Sequence, residues 1–224
     1  MSSRIGQPDR QKPSLIRPVD IAKPLRWHFT ILSGKLKGLV SVTTAATCAP
    51  FCRSRHLSSV DDDICGKCYA TSALSTFRAV MLPALERNRM LLARNAYVAP
   101  TKWPEATALR LMSHGDVSSV RECVNAWKLA ADSPYAYMAM WTKNTDAVAG
   151  AVAAWGKPAR LQLVYSSPKI GLRAAKPSAA FDRVFTVYRD RVPTDAFACP
   201  GACADCLVCY TLNDVVDVGI LLHR

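Results

Sequence analysis

Eight of the nine cysteines in this 224-residue chain fall into two groups. Cys48, Cys52, Cys65 and Cys68 form C-x3-C followed by C-x2-C, and Cys199, Cys203, Cys206 and Cys209 form a C-x3-C-x2-C-x2-C run. Thiols three or four positions apart rarely reach the Cα separation and Cβ orientation of a disulfide. Sulfurs converging on one ion or cluster meet no such restriction, so the spacing predicts thiolate ligation of a metal. Zinc takes four tetrahedral ligands, commonly from two knuckles separated by a loop, and the first group fits that as well as it fits a cluster. The second group resembles the compact runs that wrap an iron–sulfur cube. The expectation is one or two iron–sulfur clusters of 4Fe–4S type, with zinc as the alternative. Cys123, on an expected helix, reads as an inert core thiol.

Cys199, Cys203 and Cys206 also match the C-x3-C-x2-C signature of radical S-adenosylmethionine enzymes. In those enzymes the triplet follows the first barrel strand and leaves one iron open. Here it lies near the C-terminus, with Cys209 available to close the site. A closed centre is structural or electron-transferring, and an open one does Lewis-acid or radical chemistry. A radical-type cluster in this chain would therefore draw on Cys48–Cys68.

The elements that must position these thiols show period-two and helical patterns in turn. Strands are expected at 27–32, 39–44, 108–112, 136–141, 161–165 and 184–188, and helices at 69–97 (kinked at Pro83), 119–131 and 146–155. Strand and helix in alternation predict an α/β fold: a partial (β/α) barrel or an open parallel sheet carrying two Cys-rich metal-binding segments. Residues 1–26 are polar, basic and proline-containing, which predicts a flexible basic arm before a single α/β metal-binding domain at 27–224. The start of the chain lacks the apolar stretch of a secretory signal, and no run is long enough for a membrane span. A reducing, cytoplasmic location follows, and a secreted disulfide scaffold is disfavoured.

In parallel α/β folds ligands bind beyond the carboxyl ends of the strands. The polar segments there are Ser113-His114-Gly115-Asp116, Thr142-Lys143-Asn144 and Ser166-Ser167-Pro168-Lys169. His114, Asp116, Lys143 and Lys169 are the candidates for an anion- or substrate-binding rim. Both cysteine groups follow strands and are expected to gather at that same rim. The Asp61-Asp62-Asp63 run reads as an exposed acidic loop before it reads as a magnesium site.

Several pieces together resemble the bacteriophage "gene product 88" family of cysteine-rich proteins, which is distantly similar to radical S-adenosylmethionine folds. They are Cys68-Tyr69-Ala70, Arg87-Asn88, the strand into Arg110-Leu111-Met112-Ser113-His114-Gly115-Asp116, Trp127, Trp141-Thr142-Lys143, and the ending from Cys203 to Tyr210. The likeness spans residues 40–212. It departs at residues 53–64, which stretch the first group, and at Val117, where the family has phenylalanine. The stretch leaves open whether Cys52 or Cys65 supplies the third ligand. The resemblance implies a phage origin and iron–sulfur content, and no particular reaction.

Lys and Arg total 29 against 17 Asp and Glu, a formal charge of +12, which favours a polyanionic partner. The expected function is an iron–sulfur protein with a basic surface that binds nucleic acid or a host nucleic-acid-binding protein in the infected cell. Arg78, Arg87, Arg89 and Arg94, together with the N-terminal arm, would carry the contact. Two alternatives stay open: a radical-S-adenosylmethionine-like enzyme acting at the strand-end rim, and a zinc-stapled nucleic-acid-binding protein. Neither a P-loop nor a dinucleotide fingerprint is present.

Overall fold

Strands that are apolar at nearly every position need cover on both faces. The computed structural model, which describes residues 25–222 apart from Cys48, Ser59, Asp61, Phe77 and Arg78, sets such strands side by side. β1 (Thr30–Ile31) is antiparallel to β2 (Leu39–Val42). Beyond β2 lie β3 (Ala108–Leu111), β4 (Tyr137–Thr142), β5 (Leu161–Ser166) and β6 (Arg183–Tyr188), then β8 (Asp217–Leu221), with β7 (Phe197–Ala198) at the edge. Every pairing after the first is parallel. The first and last strands of the order do not pair, so this is an open α/β sheet in one domain.

Period-two alternation sends Val40, Val42, Leu109, Leu111, Met138, Met140, Leu161 and Leu163 to one face. There they meet Cys123, Trp127 and Ala130 of α4 (Val120–Asp132) and Ala147, Val148 and Ala151 of α5 (Thr145–Ala154). Cys123 is fully buried, as expected of a core thiol, and burial pushes its pKa up. α4 starts at the expected cap: Ser119 Oγ accepts from Glu122 N at 3.2 Å, and Glu122 Oε2 accepts from Ser118 N at 2.7 Å. The other face carries Leu39, Ala108, Ala139, Trp141 and Val164, covered by Tyr210, Leu207 and the single-turn α6 (Cys203–Cys206).

The strand expected at 27–32 shrinks to β1 because its first residues have other partners. Trp27 Nε1 donates to Val98 O at 2.7 Å, and the His28 backbone bonds through both N and O to the Asn88 side chain. The helix expected at 69–97 is instead α2 (Tyr69–Ser75), a 3-10 turn (Ala79–Met81) and α3 (Leu82–Leu92). Pro83 falls in the first turn of α3, where its missing N–H has no intrahelical partner to lose. α1 (Pro50–Ser58), inside the first cysteine group, and the β7–α6–β8 edge were not expected from the sequence patterns. The expected basic arm lies almost entirely outside the described residues.

Candidate metal centres

The second cysteine group is wound by the edge of the sheet. Cys199 follows β7 and donates its N–H to Gly219 O of β8 at 2.8 Å. A turn through Gly201, at φ +72°, leads into α6, which carries Cys203 and Cys206. Leu207 then takes a left-handed conformation, φ 50°, and its carbonyl accepts from Tyr210 N at 2.8 Å. The chain has by then circled one cavity of about 20 Å³, lined by all four thiols with Phe197, Val208, Tyr210 and Val218. Burial raises the Cys203 thiol and pushes Cys209 up to about 12, with Arg110 opposing both. A metal bound here must displace those protons.

Two arginines flank this cup without a carboxylate partner among the described residues. Arg110 of β3 lies over the Trp141 ring, 3.7 Å from its centroid, and reaches Tyr210 Oη at 3.5 Å. Arg183 of β6 is 1% exposed and donates to Gln162 Oε1 at 2.8 Å and to Thr211 O at 2.6 Å. Burial lowers its pKa, opposed by the adjacent Cys209 thiol and Asp182. Asp182 itself is held by Lys157 at 2.6 Å. Three enclosed donors in this region find no acceptor among the described residues: Arg110 Nε, Arg183 Nε and Trp141 Nε1. Buried donors are nearly always satisfied, so three orphans beside four thiols suit an anionic metal–thiolate group.

The first group occupies the carboxyl rim. Cys48 lies outside the described residues. Cys52 rides on α1, and Cys65 and Cys68 follow before α2. Burial raises Cys52, whose charged neighbours are Asp116, Lys143, Cys68 and Cys65, so these three thiols share one neighbourhood. Cys65 is positioned closely. Its N–H donates to Asp63 Oδ1 at 2.8 Å, its carbonyl meets His56 Nδ1 at 2.8 Å, and Arg55 pairs with Asp63 at 2.6 Å. The expected exposed acidic loop is thereby corrected: Asp63 is buried in an ion pair, while Asp62 pairs with Arg189 at the surface. Asp61 lies outside the described residues.

The rim residues have distinct roles. Asp116 is buried with both oxygens engaged: Oδ1 accepts from Val117 N and Thr142 Oγ1, and Oδ2 from Lys143 N at 2.8 Å. Burial pushes its carboxyl up to about 6. It clamps the β3 loop to the β4 loop, with three of its roughly four acceptor directions taken. Lys143 Nζ donates to Ser166 Oγ at 2.8 Å, and its charge faces Cys52 and Cys65. His114 is buried, with Nδ1 3.2 Å from Ser113 Oγ and its ring 5.8 Å from that of Tyr69. Lys169 is exposed, and its backbone bridges to Asp63, docking the first group on the loop after β5.

Sequence patterns missed the strain in this loop. Met112 has φ 59°, a left-handed conformation that costs a non-glycine residue about 1–3 kcal/mol. At Gly115, φ +64°, a Cβ would come within 2.5 Å of Thr44 Oγ1. Thr43 completes the strap, exchanging hydrogen bonds with His114 N and O. The loop is thus pressed onto the residues that lead from β2 into the first cysteine group.

The two groups do not share the rim, contrary to expectation. The second lies over the sheet face, against Leu39 and Ala108 at the starts of β2 and β3 and beside Leu36, which precedes β2. The first follows the end of β2, a strand of four residues, or roughly 13 Å at ~3.3 Å per residue. Arg110 lies between them, near Cys203 and Tyr210 on one side and Tyr69 on the other. All eight described cysteines are free. Among the described residues no three His, Cys, Asp or Glu side chains converge closely enough to hold an ion, so the thiols surround their sites without meeting at a point.

Of the expected arginine contacts, Arg78 lies outside the described residues. Arg89 is held by Glu86 at 2.6 Å, Arg87 is half-buried, and Arg94 is exposed beyond the end of α3. Among the described residues no helix is long and apolar enough to cross a membrane. Comparison with known proteins gave no match to a family model, a curated protein or a solved structure.

Proposed function

We propose that this chain is an iron–sulfur protein in which Cys199, Cys203, Cys206 and Cys209 hold a closed 4Fe–4S cluster. Cys52, Cys65 and Cys68, with Cys48, hold a second metal, either a cluster or zinc. The observation that carries this reading is one cavity lined by all four thiols, beside two arginines without carboxylate partners among the described residues. When bound, such a cluster supplies one-electron transfer or a rigid cross-link. The chain's own residues supply the cup, the donors around it and an apolar wall against water.

Anaerobic purification tests it. Brown protein with broad absorption near ~400 nm, and equimolar iron and sulfide, is the expected result. Colourless protein containing only zinc would favour the zinc-stapled alternative, and metal-free protein would end both. The net charge of +12 supports nucleic acid, or a host factor that handles it, as the partner in a phage-infected bacterium. Affinity then falls steeply between low and physiological salt, and negligible binding at low salt would remove that partner.

A second reading, a cluster enzyme acting at the carboxyl rim, is favoured by the strained Met112 and by Lys143 facing the first thiols. Adding S-adenosylmethionine and dithionite to the reduced protein tests it, with release of 5′-deoxyadenosine as the positive outcome.

A further inference from the structure

The structure assigns Arg110 and Arg183 as built-in counter-charges for a dianionic tetrathiolate centre at the second cysteine group. This rests on the metal reading above and adds to it what the site selects. Four thiolates around either a zinc ion or an oxidised 4Fe–4S core carry a net charge of about −2. The two guanidinium groups flanking the cup carry two positive charges, and neither has a carboxylate within ion-pair distance among the described residues. A buried cation without a counter-ion is strongly unfavourable. Here the counter-ion is the metal–thiolate group itself.

The hydrogen-bond inventory points the same way. Arg183 satisfies its Nη atoms on Gln162 and Thr211, and Arg110 is steadied by Trp141 and Tyr210, which fixes both guanidinium groups in place. Among the described residues each nevertheless leaves its Nε–H without an acceptor, as Trp141 does its Nε1–H. Donors held rigid and unpaired around Tyr210 and Thr211, at the end of the thiol run, are available to stabilise sulfur-borne charge. Arg110 and Arg183 are thus positioning residues of the second centre: they bond to Tyr210 and Thr211, which directly follow the Cys203–Cys209 run, and take no part in coordination.

The test compares Arg110→Met, Arg183→Met, Arg110→Lys and Trp141→Phe with the full-length wild type, metal-free and after reconstitution with iron and sulfide or with zinc. Removing either arginine is expected to weaken metal retention against a chelator by roughly 10- to 100-fold, with Arg110→Lys retaining most of it. Melting temperature provides a readout with opposite signs. Arg110→Met raises it in the metal-free chain, where the cation is uncompensated, and lowers it by about 3 °C or more in the loaded chain. If the second centre is a cluster, loss of either charge moves its midpoint potential to more negative values, since the reduced, more anionic form loses most. Trp141→Phe removes a donor without a charge, so a smaller shift in the same direction is expected.

Wild-type metal retention and potential in every variant, or equal destabilisation of both forms, would overturn the assignment and leave the metal reading standing. A wild-type chain that takes up no metal at all would instead overturn the metal reading, and the assignment with it.

Discussion

Asp116 accepts three hydrogen bonds while buried at the junction of two loops, so its charge and its shape pull stability in opposite directions. Burial raises the carboxyl from 3.8 to about 6. Between those values the native chain keeps a proton that the unfolded chain has released, so stability falls as pH rises through that window and levels off above it. Asp116→Asn removes the charge but turns an amide N–H towards backbone donors. It is expected to destabilise the fold by about 1–3 kcal/mol at neutral pH. Denaturant titrations of wild type and variant at pH 4, 6 and 8 check both statements, and the gap between the two should narrow at pH 8. The grouping of Cys199, Cys203, Cys206 and Cys209 around one cavity accords with their spacing. The arginines beside them were not legible in the sequence, because Arg110 and Arg183 sit in apolar strands and acquire their meaning from Cys203 and Cys209 far along the chain.

At the scale of elements, what the sequence reveals depends on how much local pattern an element needs. β3 to β6, α4 and α5 lie within a residue or two of their expected bounds, since each buries a regular set of side chains. α1 buries no residue fully and carries no apolar stripe. What ties it to its surroundings is Cys52, packed against Ala45 and its neighbours, and the Arg55–Asp63 pair, which no periodicity announces. β7 and α6 are too short for any pattern to register. The α4–α5 contact shows the converse, a tertiary demand written in one residue. A Cβ at Gly150 would lie 2.3 Å from Val120 Cγ2. Gly150→Ala, which in an open helix would be stabilising, is therefore expected to cost about 1–3 kcal/mol through overpacking. An unchanged or raised denaturation midpoint would show that the two helices can move apart.

Across the whole molecule, stability is unevenly distributed between a sheet buried on both faces and an edge that cannot fold by itself. β7 has two residues and α6 one turn, far below the length at which either holds without tertiary support. Their backbone bonds nonetheless close neatly: Cys199 N to Gly219 O, Cys206 N to Ala202 O and Tyr210 N to Leu207 O, at 2.8, 3.0 and 2.8 Å. Something must offset the conformational entropy of ordering this segment, and apolar contacts of Tyr210 and Leu207 with the sheet contribute to it. On the reading proposed above, metal binding, which in small thiolate sites is itself folding free energy, would supply the rest. Stripping the metal should therefore leave β2 to β6 and α4 protected from amide exchange while protection collapses at Cys199, Cys206, Leu207 and Tyr210. Hydrogen–deuterium exchange on the loaded and stripped chain measures this directly. Equal protection of the edge in both would mean that side-chain packing alone holds the cup, and a collapse that spread to Leu109 and Met140 would mean that the centre staples the whole sheet.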